Sequence, residues 1–329
     1  TRDEFQMRIL VTGGAGFIGF HVAKALLERG DSVVVVDNFN DYYDVSMKEA
    51  NAKDLKAIAK KNKKAHLKLV RADISDFKAM EKIFKKEKID KICHLAAQAG
   101  VRYSLENPFA YQKANVLGTL VMLELARHYK VKDFIYASSS SVYGNNKKLP
   151  FSESDSVDNP VSLYAATKKS NELMAHAYHH LYGINCTGLR FFTVYGPRGR
   201  PDMAPFKFVK SIIEGKEIEV YNNGNMKRDF TFISDIVNGV VAAIDKAYPY
   251  EIFNIGGDNP IELNRFIECI EKAVGKKAKK RMLPMQPGDV LVTMADVTRA
   301  RKMLGYDPKV KIDEGVDEFV RWYKDYSKK

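Results

Sequence analysis

Residues 12–19 read TGGAGFIG. The apolar run MRILV leads into them and FHVAKALLERG follows, so the glycines sit where a buried strand should turn into a helix. The stretch reads as Gly13-x-x-Gly16-x-x-Gly19, and Gly14-x-Gly16-x-x-Gly19 also fits the dinucleotide fingerprint. Such a backbone can approach a pyrophosphate closely, and the helix start offers free N–H groups at the positive end of the helix dipole. A second apolar run, SVVVVD, ends on Asp37, 18 residues after Gly19. A carboxylate there accepts from both hydroxyls of a ribose and repels a 2′-phosphate. The expectation is NAD rather than NADP, held by Gly13, Gly16, Phe17, Ile18, Gly19, Asp37 and Asn38.

Outward from this stretch, continuous apolar runs alternate with helical patterns. LKLVRAD reads as a third strand, KICHLAA as a fourth, DFIYASSS and CTGLRFF as further ones. Helices are expected over about 108–129 and from Tyr164 to about Gly183. The pattern predicts an α/β fold, a doubly wound, mostly parallel sheet covered on both faces. Asp73 and Ile74 end the third strand, where an adenine would lie; Leu95, Ala96, Ala97 and Gln98 end the fourth, on the cofactor's other side. Beyond about residue 194 the pattern becomes short and irregular. RDFTFISDIV and EIFNIGG read as a return to the main sheet. We therefore expect a dinucleotide-binding domain of residues 1–193 plus 229–256 and a smaller α/β substrate domain of 194–228 plus 257–329.

Composition is that of an ordinary globular chain of 329 residues, 45% hydrophobic and 29% charged. It carries no apolar run near the ~18 residues that span a membrane and no basic-then-apolar leader, so a cytosolic location is expected, with Met7 a plausible native start. The net charge of +12 could suggest nucleic acid. Much of the excess falls in KEANAKDLKAIAKKNKKAHLK (48–68), where Leu55, Ile58 and Ala59 keep helical spacing and lysines fill the other face. That is a solvated surface helix without the aromatic residues that stack bases. Cys93, Cys186 and Cys269 are too scattered for a disulfide framework or a zinc site; Cys93 and Cys186 read as small buried hydrophobes. His176 and His180 stand four apart but lack the intervening glutamate of a helical zinc motif, so no metal is expected. His94 reads as packing near the cofactor.

YAATK places Tyr164 and Lys168 four apart, one turn along one helix face. A free tyrosine, with a pKa of about 10, is a poor base at neutral pH. A nearby ammonium and a cationic nicotinamide would lower it. The stretch SSSSVYG (138–144) precedes it, with Ser139 lying 25 residues before Tyr164. Four hydroxyls exceed what the end of a strand needs.

These stretches, with DNFNDYYD (37–44), AAQAGVRYSLENPFAY (96–111), LRFFTVYGPRGRPDMA (189–204), RDFTFISDI (228–236) and MQPGDV (285–290), resemble the extended short-chain dehydrogenase/reductases that act on nucleotide sugars. Within them the chain is most similar to the UDP-glucuronate 4-epimerase branch. The resemblance implies that Tyr164 takes the proton of the sugar 4-hydroxyl, that Lys168 holds the nicotinamide ribose and keeps Tyr164 acidic, and that Ser139 steadies the 4-keto oxygen. It places Arg228 on the family's phosphate-binding arginine and Asp289 on its ribose-contacting aspartate. The chain departs from the uncharged-sugar branch at Gln286, where an arginine is frequent.

The same resemblance separates sister reactions. Dehydratases of this kind keep an Asp-Glu pair where Ser140 and Ser141 stand, and decarboxylases forming UDP-xylose keep a glutamate at Ser141. Epimerases of uncharged UDP-sugars keep an asparagine at Thr193. Neutral hydroxyls can grip a carboxylate without repelling it, so Ser140, Ser141, Thr193 and Arg200 are expected to hold the carboxylate of a uronic acid. The rivals are a 4-epimerase of UDP-glucose or UDP-N-acetylglucosamine, a UDP-glucuronate decarboxylase, and a silent nucleotide-sugar sensor. An intact Ser139, Tyr164 and Lys168 set speaks against the sensor. The helices 108–129 and 164–183 are apolar on more than one face, and the family implies that they pair into a homodimer.

Overall fold

The computed structural model describes residues 7–286 and 290–328. Its strands are β1 (Arg8–Thr12), β2 (Ser32–Asp37), β3 (His66–Arg71), β4 (Lys91–His94), β5 (Asp133–Ser139), β6 (Asn185–Phe191), β7 (Thr193–Tyr195), β8 (Glu217–Tyr221), β9 (Lys227–Arg228), β10 (Phe230–Phe232), β11 (Tyr250–Ile255), β12 (Ile261–Glu262) and β13 (Lys279–Leu283). Seven of them form one sheet in the order β11-β6-β5-β4-β1-β2-β3, every neighbouring pair parallel. This is the doubly wound arrangement that the alternating pattern predicts. All six residues of β2 are buried, as a strand covered on both faces requires.

Helices α1 (Phe17–Arg29), α2 (Val45–Lys61), α3 (Phe77–Lys86), α4 (Tyr103–Glu106), α5 (Pro108–Tyr111), α6 (Gly118–His128) and α7 (Leu163–Tyr182) cross between the strands of the first half. Separate cores of buried residues lie against the sheet, one around Val11, Val35, Leu26 and Ile135, the other around Leu10, Val34, Met80 and Phe134. Helix ends follow local chemistry: Ser162 caps α7 by accepting from Ala165 N at 3.1 Å, and Gly183 ends it at φ 66°. α2 is the expected surface helix, its Lys53, Lys56 and Lys60 exposed over a buried Leu55. Cys93 and Cys186 are buried, as read from the sequence.

Two features differ from the sequence reading. The long helix over 108–129 is α5 and α6 joined by a π-helical turn, Gln112–Leu117, which periodicity cannot distinguish from α-helix. Among the described residues, Phe230–Phe232 do not rejoin the main sheet and β10 pairs in parallel with β7 alone, while β11 does return, beside β6. Three residues, Phe-Thr-Phe, are too short a pattern to name a partner strand, so the pairing is decided by packing.

The remaining helices are α8 (Ala204–Glu214), α9 (Ile233–Lys246), α10 (Leu263–Val274), α11 (Thr298–Leu304) and α12 (Ile312–Tyr326). Small two-stranded sheets, β8 with β13 and β9 with β12, accompany them. Among the described residues no helix is long and apolar enough to cross a membrane.

Candidate active site

A cavity of about 600 Å³ opens at the carboxyl ends of the central strands. Its floor is the first turn. Gly13 has φ +70° and a Cβ there would meet Ala96 Cα at 2.8 Å, while a Cβ on Gly19 would meet Gly13 O at 2.1 Å. Both contacts explain why the turn tolerates only glycine at these positions. Helix α1 starts with no side-chain cap, and its Phe17, Ile18 and Gly19 line the cavity, an arrangement that suits an anion.

Asp37 ends β2 at the cavity wall, 7% exposed. Its carboxylate accepts from Ala15 N at 3.1 Å and from Phe39 N at 2.8 Å. Asn38 lies beside it, and Asp73 and Ile74 follow on the same wall. Asp73 accepts from Ser75 N and Oγ, at 2.9 and 2.7 Å, and stands 3.3 Å from Lys113 Nζ. Although partial burial opposes it, these donors hold its carboxyl below the usual range.

Leu95, Ala96, Ala97 and Gln98 form the opposite wall. Thr12 Oγ1 accepts from Leu95 N and Ala96 N, both at 3.1 Å, and lies 2.8 Å from His94 Nδ1. Its two accepted bonds leave its own proton for Nδ1, so His94 carries its hydrogen on Nε2 and donates to Thr119 Oγ1 at 3.2 Å. Burial, helped by the charge of Lys168, pushes the His94 pKa down to about 3, which keeps the ring neutral. In the π-helical turn, Asn115 accepts from Gln98 N at 2.8 Å and donates to Gln98 O at 2.9 Å and to Thr167 Oγ1 at 3.0 Å. The turn therefore ties the β4 loop to α7.

Tyr164, Lys168, Ser139, Ser140, Ser141, Thr193 and Arg200 all line the same cavity. Burial raises the Tyr164 phenol above its ordinary value; a hydrogen bond with Ser139 and the charge of Arg200 pull it the other way. Lys168 donates to Ala137 O at 2.9 Å, and burial pushes its pKa down to about 8. Ser139 Oγ accepts from Ser141 N at 3.2 Å and donates to Ser141 Oγ at 3.1 Å. Tyr164 and Lys168 thus share the cavity wall, with Ser139 and Arg200 also acting on the phenol.

Arg200 reaches this wall from the loop after β7. Its Nη2 donates to Ala99 O at 3.2 Å, and its fork takes Asp202 in bidentate fashion, Nε to Oδ1 at 3.0 Å and Nη2 to Oδ2. Tyr42 OH donates to the same Oδ2 at 3.2 Å. Asp202, Tyr42, Tyr43 and Lys48 were missed by residue-level reading. Tyr42, Tyr43 and Asp202 lie within DNFNDYYD and LRFFTVYGPRGRPDMA with no role read for them, and Lys48, read as a surface lysine, is 5% exposed.

Arg228 lies in β9, donating to Lys227 O and Leu291 O at 3.1 and 3.2 Å, and is not among the residues lining the cavity. Asp289 lies outside the described residues. His176 and His179 pack on Tyr250, with ring centroids 5.0 and 5.7 Å apart.

The family profile described as GDP-mannose 4,6 dehydratase matches residues 10–319. The chain is 56% identical to a Methanocaldococcus jannaschii protein described as uncharacterised, covering 96% of this chain and 95% of that protein. It is 47% identical to the UDP-glucuronate 4-epimerase of Thermodesulfobacterium geofontis, covering 96% of each. Its structure is similar to that of the UDP-glucuronic acid 4-epimerase of Bacillus cereus in complex with UDP-glucuronic acid and NAD, with a TM-score of 0.90 and 37% identity, covering 97% of this chain and all of that one.

Proposed function

The chain belongs to the family described as GDP-mannose 4,6 dehydratase, and within it we infer that the protein is an NAD-dependent UDP-glucuronate 4-epimerase. It interconverts UDP-glucuronate and UDP-galacturonate through a transient 4-keto sugar. The observation that carries this reading is the composition of one wall. On the same cavity wall as Tyr164 stand the four serines 138–141, Thr193 and Arg200, and no carboxylate occupies the serine run where dehydratases and decarboxylases keep one.

The glycine turn, the uncapped start of α1 and Asp37 fit a dinucleotide with a free 2′-hydroxyl. When bound, NAD supplies the acceptor and donor of the hydride at sugar C4. Tyr164 takes the O4 proton and gives it back. Ser139, whose one proton rests on Ser141 Oγ in this structure, stands where it can turn that proton to whichever of the phenol and the sugar oxygen carries negative charge. Lys168 holds the nicotinamide ribose from its seat on Ala137 O.

A 4-keto uronic acid is a β-keto acid, which loses CO₂ when the bond to its carboxyl aligns with the ketone π system. Ser140, Ser141, Thr193 and Arg200 are the groups we assign to fixing that carboxylate. Their neutrality or positive charge grips it without offering an acid to the ring. Arg228 and Asp289 are assigned to the UDP moiety, and residues 194–228 plus 257–329 to the substrate half.

We also infer a homodimer. Phe109 and Leu173 are 82% and 58% exposed on α5 and α7, and Leu117, Leu120 and Leu181 are exposed nearby; a patch of this kind marks an interface.

Incubation with UDP-glucuronate, followed by proton NMR of the sugar, tests the reading. UDP-galacturonate without UDP-xylose is expected. Turnover of UDP-glucose alone would overturn it.

A further inference from the structure

Arg200 has the geometry to hold a substrate carboxylate, yet its fork is already filled by a carboxylate of the protein. Asp202 takes Nε and Nη2 together. The pair is largely enclosed, with side-chain exposures of 20% and 24%. Burial works against the guanidinium's charge, and Asp202 more than restores it, so the Arg200 pKa is raised. Tyr42, from the loop that begins at Asp37, supplies Asp202 with a second donor. All three groups converge on Gly100, φ +109°, where a Cβ would lie 3.4 to 3.7 Å from each.

We propose that Asp202 is a resident counter-ion that the sugar carboxylate replaces on Arg200, and that this exchange sets the preference for uronic acids. The proposal rests on the epimerase reading above. The physics is that of a buried ion pair. An unpaired guanidinium in this enclosure is costly, so a neutral hexose leaves Arg200 with Asp202. A uronate offers an equivalent carboxylate, and Asp202 falls back on the Tyr42 hydroxyl. Arg200 is never left bare, and only an anionic sugar gains its fork. Asp202 is then a positioning residue: it acts through Arg200 and does not touch the reacting atoms. Because Arg200 also lowers the phenol of Tyr164, the identity of its partner is felt at the base.

The test uses the NAD-loaded full chain and the dissociation constants of UDP-glucuronate and UDP-glucose measured by calorimetry. Asp202→Asn keeps the shape and removes the competing charge. It should tighten UDP-glucuronate at least fivefold and leave UDP-glucose unchanged or weaker. Asp202→Ser should rank the two ligands in the same way. The pH profile of kcat/KM, which reports the free enzyme, adds a readout that mere scaffolding would not move: without Asp202 and before the sugar binds the phenol feels an uncompensated Arg200, so the limb governed by Tyr164 shifts to lower pH. If UDP-glucuronate binds no better, or both ligands weaken together, Asp202 only holds Arg200 in place and the proposal falls. Should both variants lose NAD or melt early, the crystal structure of the wild type with UDP-glucuronate decides: the Arg200 fork on the sugar carboxylate is required, and a fork still on Asp202 refutes the exchange. Wild-type protein that does not turn over UDP-glucuronate would instead sink the epimerase reading itself.

Discussion

Ser138 Oγ donates to Glu172 Oε1 at 2.6 Å, inside the protein. Glu172 stands eight residues after Tyr164 on α7, the face that also carries Lys168. Its carboxylate takes Arg190 of β6 in bidentate fashion at 2.9 and 2.8 Å, and Arg190 Nη1 donates to Tyr143 OH at 3.0 Å. The first serine of the run therefore belongs to a buried network that joins the end of β5 to the helix of the candidate base.

Glu172→Ala should destabilise the fold by about 3–5 kcal/mol, because it leaves Arg190 buried without its counter-ion. Denaturant unfolding checks this. A loss below about 1 kcal/mol would mean that water reaches Arg190.

Tyr164→Phe should cut turnover by about 10²–10⁴ while NAD stays bound, since only the proton-transfer group is lost. Ser139→Ala should cost about 10²–10³, the usual range for one preorganised donor. Sugar NMR and the absorbance of released cofactor measure both. Retained turnover in Tyr164→Phe would require another base.

Stability should fall in acid because His94 is buried and neutral. Its folded pKa of about 3 lies below its ordinary value of 6.5. Between these values the unfolded chain binds the extra proton, so stability rises with pH there and is lost as pH falls through the window. One such group gives a slope of at most about 1.4 kcal/mol per pH unit. His94→Gln should flatten the unfolding free energy between pH 6.5 and 4; an unchanged slope would place the titration elsewhere.

Arg200→Ala should weaken UDP-glucuronate roughly 10- to 100-fold, about the worth of one charge-assisted hydrogen bond, because the pair with Asp202 must be given up to make the new one, and UDP-glucose far less. Equal losses would remove the carboxylate clamp.

Phe109→Glu should shift the mass in solution from dimer to monomer by light scattering, because it puts a charge into the exposed apolar patch of α5. A wild-type protein that is already monomeric at micromolar concentration would exclude the dimer.

Much of this was legible in one dimension. Asp37, Gly13 and Gly19 follow from a turn whose steric demands are local. Tyr164 and Lys168 share a face by helical period alone. What failed to be legible had partners far along the chain. The β7 and β10 pairing joins residues nearly forty apart, and the contact of Tyr42 with Asp202 spans 160.

The sequence by itself determined the parallel sheet, the dinucleotide turn and the tyrosine–lysine pair, because each depends on periodicity, backbone freedom or spacing within one element. Only the tertiary structure decided how SSSSVYG divides its labour. All four line the cavity, but Ser138 gives its proton to Glu172 and Ser139 meets Tyr164, which leaves Ser140 and Ser141 for the substrate side. It also decided that Arg200 already holds a carboxylate. Which side of a strand end a hydroxyl faces, and which charge fills a guanidinium, depend on surfaces brought together from distant parts of the chain, and their energies exist only once water has been excluded between them.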